Sequence, residues 1–263
     1  MSVIINTNIV IKTQTILYPQ PTTELIFYVD GADRTSYPIS SSKWYDLSPT
    51  QNTSSFTSTI SGEVIPPFDP QYGGGIQYKG YSTTQNQYSA IGRVAELQPE
   101  NVTVNIWFKV SSSYFSDEPL NMILRSRFAG FSLQQNPNQT IQTIIHNGTV
   151  SPTLQSNTFS SSFNLNQVYN YTFSLGNNKF KTYINGTLVY ETSSFGNSVI
   201  YNDQFFNPNT LGNNFVAIGC DGDNYGRFFQ GTVYNTQIFN RALSDTEVST
   251  LFNYFNTVRS FNV

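Results

Sequence analysis

One cysteine, one histidine and a low share of charge set the first limits on this chain of 263 residues. Cys220 has no second thiol with which to close an intrachain disulfide, and His146 alone cannot build a histidine-rich cage, so a disulfide scaffold and a Cys/His zinc site are excluded. Charged residues make up 11%, less than half the usual share, which leaves neutral Asn, Ser, Thr, Gln and Gly to cover the surface. With 13 Lys plus Arg scattered among 16 Asp plus Glu, there is no basic face to neutralise phosphates, and no nucleic-acid partner is expected. The longest apolar stretches, such as residues 106–110 with Lys109 inside it, fall far short of the roughly 18 residues that span a bilayer, so no membrane partner is expected either. The start of the chain carries Val3, Ile4 and Ile5 but no basic leader and no small-residue cleavage site, so export by a signal peptide is not expected. The Asn-X-Ser/Thr sequons at Asn52, Asn101, Asn138, Asn147, Asn170 and Asn185 then follow from the abundance of Asn and Thr.

Aromatic residues are plentiful, at 15%, and with Thr, Val and Ile they form the residue set that suits a pleated, half-buried surface. Alternation is clearest at Val102, Val104, Ile106 and Phe108, with Thr103, Asn105, Trp107 and Lys109 on the opposite face, which predicts a sheet with one dry face. Further strands are expected at residues 25–29, 75–78, 87–91, 122–125, 131–134, 140–146, 169–175, 179–184, 187–191, 215–219 and 231–239. Asn185 and Gly186 accept the two positive φ angles of a type I′ hairpin turn, and Asn147 with Gly148 reads the same way. Gly176, Asn177 and Asn178 mark another reversal, whereas residues 151–166 and 193–214 read as loop-rich. A single helix is expected at residues 244–255, packed outside the strands at the end of the sandwich. Ser244 and Glu247 make a capping box, and Val248, Leu251, Phe252 and Phe255 make one apolar stripe. The pattern is that of an all-β sandwich of two antiparallel sheets with one short C-terminal helix. Residues 1–23 form an arm or an extra strand ahead of one domain at 24–263.

The stretch from Phe229 to Val248, with Asn240, Arg241, Ala242, Leu243 and Ser244 before the capped helix, resembles the last strand and trailing helix of LamG-like jelly rolls in the concanavalin A-like lectin/glucanase superfamily. Residues 27–38 with Trp44, Tyr45, Asp46, Leu47 and Ser48 look like the opening of such domains, and residues 181–189 look like their central hairpin. The resemblance implies the jelly-roll fold, but the superfamily contains lectins, adhesive modules, hydrolases and viral structural proteins, so function must be argued from sites.

The clustered carboxylates of laminarinase-type enzymes are missing. The nearest pairs are Asp30 with Asp33, Asp117 with Glu118, Asp221 with Asp223, and Asp245 with Glu247, none at the required spacing, and no catalytic residue is assigned. Cys220 reads as a small buried apolar residue and His146 as a residue before a turn, not as a nucleophile and base. Residues 220–226 offer Asp221, Asp223 and Asn224 as oxygen ligands for calcium, yet these fall short of six, so a turn role is preferred and no metal or cofactor is assigned. Trp44 and Trp107 are expected in the core rather than against a sugar. The resemblance and the low-charge surface together imply a non-enzymatic virion protein, assembled in the host cytoplasm, that contacts other virion proteins and copies of itself. A carbohydrate-binding module is the alternative and a glycoside hydrolase the least favoured.

Overall fold

The computed structural model describes residues 23–79, 85–92, 94–112, 121–126, 130–146, 156–193, 198–199, 201, 214–221 and 227–263. The expected arm, the turn at Asn147 and Gly148, Asp117, Glu118 and the loop at 222–226 lie outside them.

Among the described residues sixteen strands and one α-helix follow in chain order: β1 (Leu25–Asp30), β2 (Lys43–Trp44), β3 (Ser54–Ser58), β4 (Phe68–Asp69), β5 (Gly75–Lys79), β6 (Gln87–Gly92), β7 (Val102–Val110), β8 (Asn121–Ser126), β9 (Phe131–Asn136), β10 (Thr140–His146), β11 (Ser156–Ser162), β12 (Val168–Gly176), β13 (Lys179–Ile184), β14 (Thr187–Thr192), β15 (Asn214–Ile218), β16 (Gln230–Phe239) and α1 (Asp245–Arg259). They make two antiparallel sheets. The first runs β14-β13-β12-β7-β16-β5-β4, with β1 also paired to β16, and the second runs β11-β10-β9-β8-β15-β6-β3-β2. The two inner faces meet in one core, where Phe27, Val104, Ile106, Phe108, Phe173 and Ile238 face Ile91, Leu124, Phe131, Leu133, Ile141 and Val216. At Asn185 and Gly186 the φ angles are 49° and 72°, and at Asn177 and Asn178 they are 54° and 60°, so both reversals turn through paired positive φ.

Two expectations are corrected. The outer face of β7 is not open: Thr103, Asn105 and Trp107 are fully buried or nearly so, because α1 lies over the face of the first sheet and not at the end of the sandwich. The physical reason is that Tyr28, Trp107, Tyr183 and Tyr234 give this outer face enough apolar area to bury Val248, Leu251, Phe252 and Phe255. Part of the stretch expected to be loop-rich is strand: β11 pairs with β10 from Ser156 to Ser162, held by backbone bonds although its Ser-rich sequence has no apolar alternation. The strands β2, β3 and β4 were also unforeseen; two of them have two residues each, too short to carry a period.

Candidate binding site

Beneath α1 the first sheet carries a buried polar seam. Asn105 donates to Gln237 Oε1 (2.9 Å) and accepts from Asn170 Nδ2 (2.6 Å) and Thr172 Oγ1 (2.8 Å), so amides on three neighbouring strands bond to one another in the buried layer. The helix is fixed over this seam at both ends.

At its start, Ser244 Oγ accepts the Glu247 N–H at 3.3 Å while Glu247 Oε2 accepts the Ser244 N–H at 2.8 Å, the expected reciprocal cap. Arg241 grips the same carboxylate through both terminal nitrogens (3.0 and 2.6 Å). Its hydrogen bonds, followed by those of Ser244, hold the Glu247 carboxyl at about 2. Asp245 accepts from Lys181 (2.5 Å) and Tyr183 (2.7 Å), which holds its carboxyl below the usual range. Burial works against the Lys181 ammonium, but the carboxylates of Asp245 and Glu191 outweigh it and raise its pKa. Between this cap and the β12–β13 turn lies a groove of ≈ 220 Å³, lined by Ser174, Asn177, Lys179, Lys181, Ser244 and Glu247. That is below the roughly 300 Å³ at which pockets begin to enclose drug-sized ligands, so the groove, whose lining also includes Gly176, Ala242 and Leu243, is a small contact surface of mixed character.

At the far end of α1, the buried Arg259 donates to Gly74 O (2.9 Å) and pairs with Asp30 at 3.1 Å, and Asp30 also accepts the Tyr28 hydroxyl at 3.0 Å. Burial raises the Asp30 carboxyl and the Arg259 charge counters it.

The residues weighed from sequence fall mostly into structural places. Trp44 and Trp107 are fully buried, and neither can reach a ligand. Cys220 is buried in a small cluster with Ala90, Ala217 and Phe228. His146 closes β10 opposite Ser156, and its side chain lies outside the described residues. Asp33 holds a turn by accepting from Thr35, and Asp221 sits between Arg125 and Arg227. Among the described residues no group of three or more His, Cys, Asp or Glu side chains is placed to hold a metal ion.

Asp46 was overlooked. Its carboxylate accepts from the backbone of Tyr28, Ser48 and Asn52 and from the hydroxyls of Ser48 and Thr50, so it ties the 46–52 turn to β1. The spacing of Asp46, Ser48 and Thr50 is the signal that could have found it, since Asp side chains turn the chain by accepting from residues two positions on.

Three comparisons place this geometry among known proteins. A family model described as the concanavalin A-like lectin/glucanases superfamily matches residues 83–249. No curated protein matches the chain. Among solved structures, the binding domain of Paraclostridial Mosquitocidal Protein 1 has a TM-score of 0.62 at 13% identity, covering 89% of this chain and 53% of that one. The binding domain of Botulinum Neurotoxin DC in complex with SialylT has a TM-score of 0.61 at 13% identity, covering 89% and 52%. Trypanosoma rangeli sialidase in complex with the inhibitor DANA has a TM-score of 0.56 at 15% identity, covering 87% and 32%. The chain thus spans about half the length of the toxin domains it matches, and at these identities the likeness is one of fold. With the family model covering well over half of its residues and the two-sheet jelly roll agreeing with it, the chain belongs to the concanavalin A-like lectin/glucanases superfamily.

Proposed function

We propose that the chain is a non-enzymatic attachment module, a jelly roll that binds through its surface. The observation that carries this reading is what the carboxylates do. In most glycoside hydrolases cleavage uses two carboxyl groups facing one bond, about 5–5.5 Å apart in retaining and about 6.5–9.5 Å in inverting enzymes. Here Asp30 is tied to Arg259, Asp46 to β1, Asp69 to Lys109, Asp221 to two arginines and Glu247 to the helix cap. Each serves as a structural acceptor. The finer reading is a structural or decorating protein of a virus particle that contacts other particle proteins and its own copies. It is supported by a surface of neutral polar residues and by the resemblance of the opening and closing motifs. Binding domains of Botulinum Neurotoxin DC, of the same fold, are solved in complex with SialylT and with rat synaptotagmin II, which supports glycan or protein surfaces as the partner class.

Native particles test it. An antibody raised against the chain is expected to detect it in the particle band of a density gradient, and recovery solely as free monomer would overturn the particle reading. Steady release of reducing ends from β-glucans, abolished by changing one carboxylate, would overturn the non-enzymatic reading.

A further inference from the structure

The turn between β4 and β5 holds an aromatic ring at the surface by unusual means. Tyr72 has φ 52° and ψ 36°, a left-handed backbone that a bulky residue seldom takes, and it is followed by Gly73 and Gly74 at φ 82° and 139°. Gly74 and Gly75 are required by close packing. A Cβ at Gly74 would lie 2.5 Å from the Phe68 ring, and one at Gly75 would lie 2.6 Å from Thr232 and 2.8 Å from the Tyr234 ring. The chain is thereby pressed onto the outer face of the first sheet, and Tyr72 rests on an aromatic column. Its ring lies 5.6 Å from Tyr234 and 5.1 Å from Phe261, and Phe261 in turn stacks on Trp107 at 4.3 Å. Tyr234, Trp107 and Phe261 are buried, whereas Tyr72 stays 36% exposed.

Polar groups lie in and against the same turn. Lys109 Nζ donates to Asp69 (3.1 Å) and Gln71 Oε1 (2.8 Å), and Asp69 also accepts from Thr232 Oγ1 (2.9 Å) and the Gln71 N–H (3.0 Å). Two of the three Lys109 ammonium hydrogens are thus used within the chain. The Gln71 amide N–H₂ and the Tyr72 hydroxyl make no bond to it among the described residues. The Lys109 charge is balanced by Asp69 at the same place.

We infer that Tyr72, with Gln71 and Lys109, is a docking platform for a neutral saccharide. This inference rests on the reading of the chain as an attachment module and names the chemistry that the module takes. A pyranose presents one face of C–H groups and a rim of hydroxyls. The face suits a flat ring, and the rim suits an amide and an ammonium hydrogen. Because the backbone and two neighbouring rings fix Tyr72, little side-chain freedom is lost on binding. The local ion pair selects against a strongly anionic glycan, since no uncompensated cation is offered. One open ring is a single shallow site, so a dissociation constant on the order of 0.1–1 mM is expected, with firm attachment arising from several copies acting together.

The test is a titration of the isotope-labelled chain, followed by NMR, with a panel of neutral tetrasaccharides of glucose, galactose, mannose and N-acetylglucosamine. At least one member is expected to shift the Tyr72, Gln71 and Lys109 signals saturably, and a tenfold rise in salt should leave the constant within about twofold. Tyr72→Ala should weaken binding at least about tenfold and Tyr72→Phe, which keeps the ring, less than about threefold. Val189→Ala, at an exposed residue of β14 on the opposite edge of the first sheet, should change nothing. Gln71→Ala is the second variant: its side chain is exposed, so it tests the amide without disturbing the fold. Saturable binding untouched by both Tyr72→Ala and Gln71→Ala would overturn this site while leaving a glycan-binding module elsewhere on the chain. A panel in which no member shifts these signals would overturn the site and leave attachment to protein surfaces standing. Binding that collapses with salt would overturn the neutral class of ligand.

Discussion

Trp107 of β7 lies flat against Phe252 of α1, with ring planes 3° from parallel and centroids 5.5 Å apart. The indole N–H beneath that stack has no hydrogen-bond partner among the described residues, a loss of about 1–3 kcal/mol for a buried donor. Stacking and burial against Phe252 and Phe261 outweigh it, and so the helix belongs to the fold as fully as any strand.

The first prediction follows from that contact. Leu251, one helical turn before Phe255, is completely buried between α1 and the sheet. Leu251→Ala should lower stability by about 2–5 kcal/mol in urea unfolding, whereas an exposed position would change it by about 0.5 kcal/mol or less. A red shift in Trp107 emission at lower urea than in the parent would locate the damage beneath the helix.

A second prediction concerns acid. The folded-state pKa values of Glu247 (about 2), Asp245 and Glu191 are all depressed, by Arg241 for the first, by Lys181 and Tyr183 for the second, and by Lys179 and Lys181 for the third. A carboxyl with a lowered folded pKa stabilises above its unfolded value and loses that contribution as pH falls toward the folded one. Stability should therefore hold down to about pH 4.5 and decline from there toward about pH 2. Replacing Glu247 with Gln should flatten this decline and lower stability at neutral pH by about 1 kcal/mol, the worth of a cap contact. Melting temperatures across that range provide the check.

A third prediction concerns the other end of α1. Asp30→Asn leaves the Arg259 guanidinium buried without its counter-charge and should cost about 3–5 kcal/mol. Adding Arg259→Met should recover part of the loss, because the uncompensated charge goes too. A double-mutant cycle measures the coupling, and strictly additive effects would deny that the two charges act as a pair.

Much of this architecture was legible because the residues that make it obey local rules. Val102 to Val110 alternates, Asn185 with Gly186 turns, and Ser244 with Glu247 caps, each within a few residues of sequence. What could not be read depends on distant partners. Trp107 and Asn105 share the polar-looking face of β7, and only the arrival of α1, more than a hundred residues later, makes that face interior. Tyr72 was one of 17 tyrosines, and nothing in its neighbours foretold that Tyr234 and Phe261 would hold it at the surface. Runs as short as Lys43–Trp44 carry no period, and β11 is a strand by its backbone bonds alone.

The last prediction joins the most legible turn to the least legible contact. Gly186 has φ +72°, and a Cβ built on it would lie 2.6 Å from Cδ1 of Phe252, so the hairpin tip is pressed against the helix. Gly62 supplies the comparison, with φ +81° and nothing within 4 Å of its Cβ position. Gly62→Ala should therefore lose only the backbone term, about 1–2 kcal/mol for a left-handed alanine. Gly186→Ala should lose that and a further amount of about 1–3 kcal/mol, because Phe252 must leave its place over Trp107. Combining Gly186→Ala with Phe252→Ala removes the obstructing ring, so the double variant should be more stable than the sum of the two single losses predicts. Urea unfolding of the four variants measures it. Equal losses for Gly62→Ala and Gly186→Ala would mean that the hairpin tip does not bear on the helix.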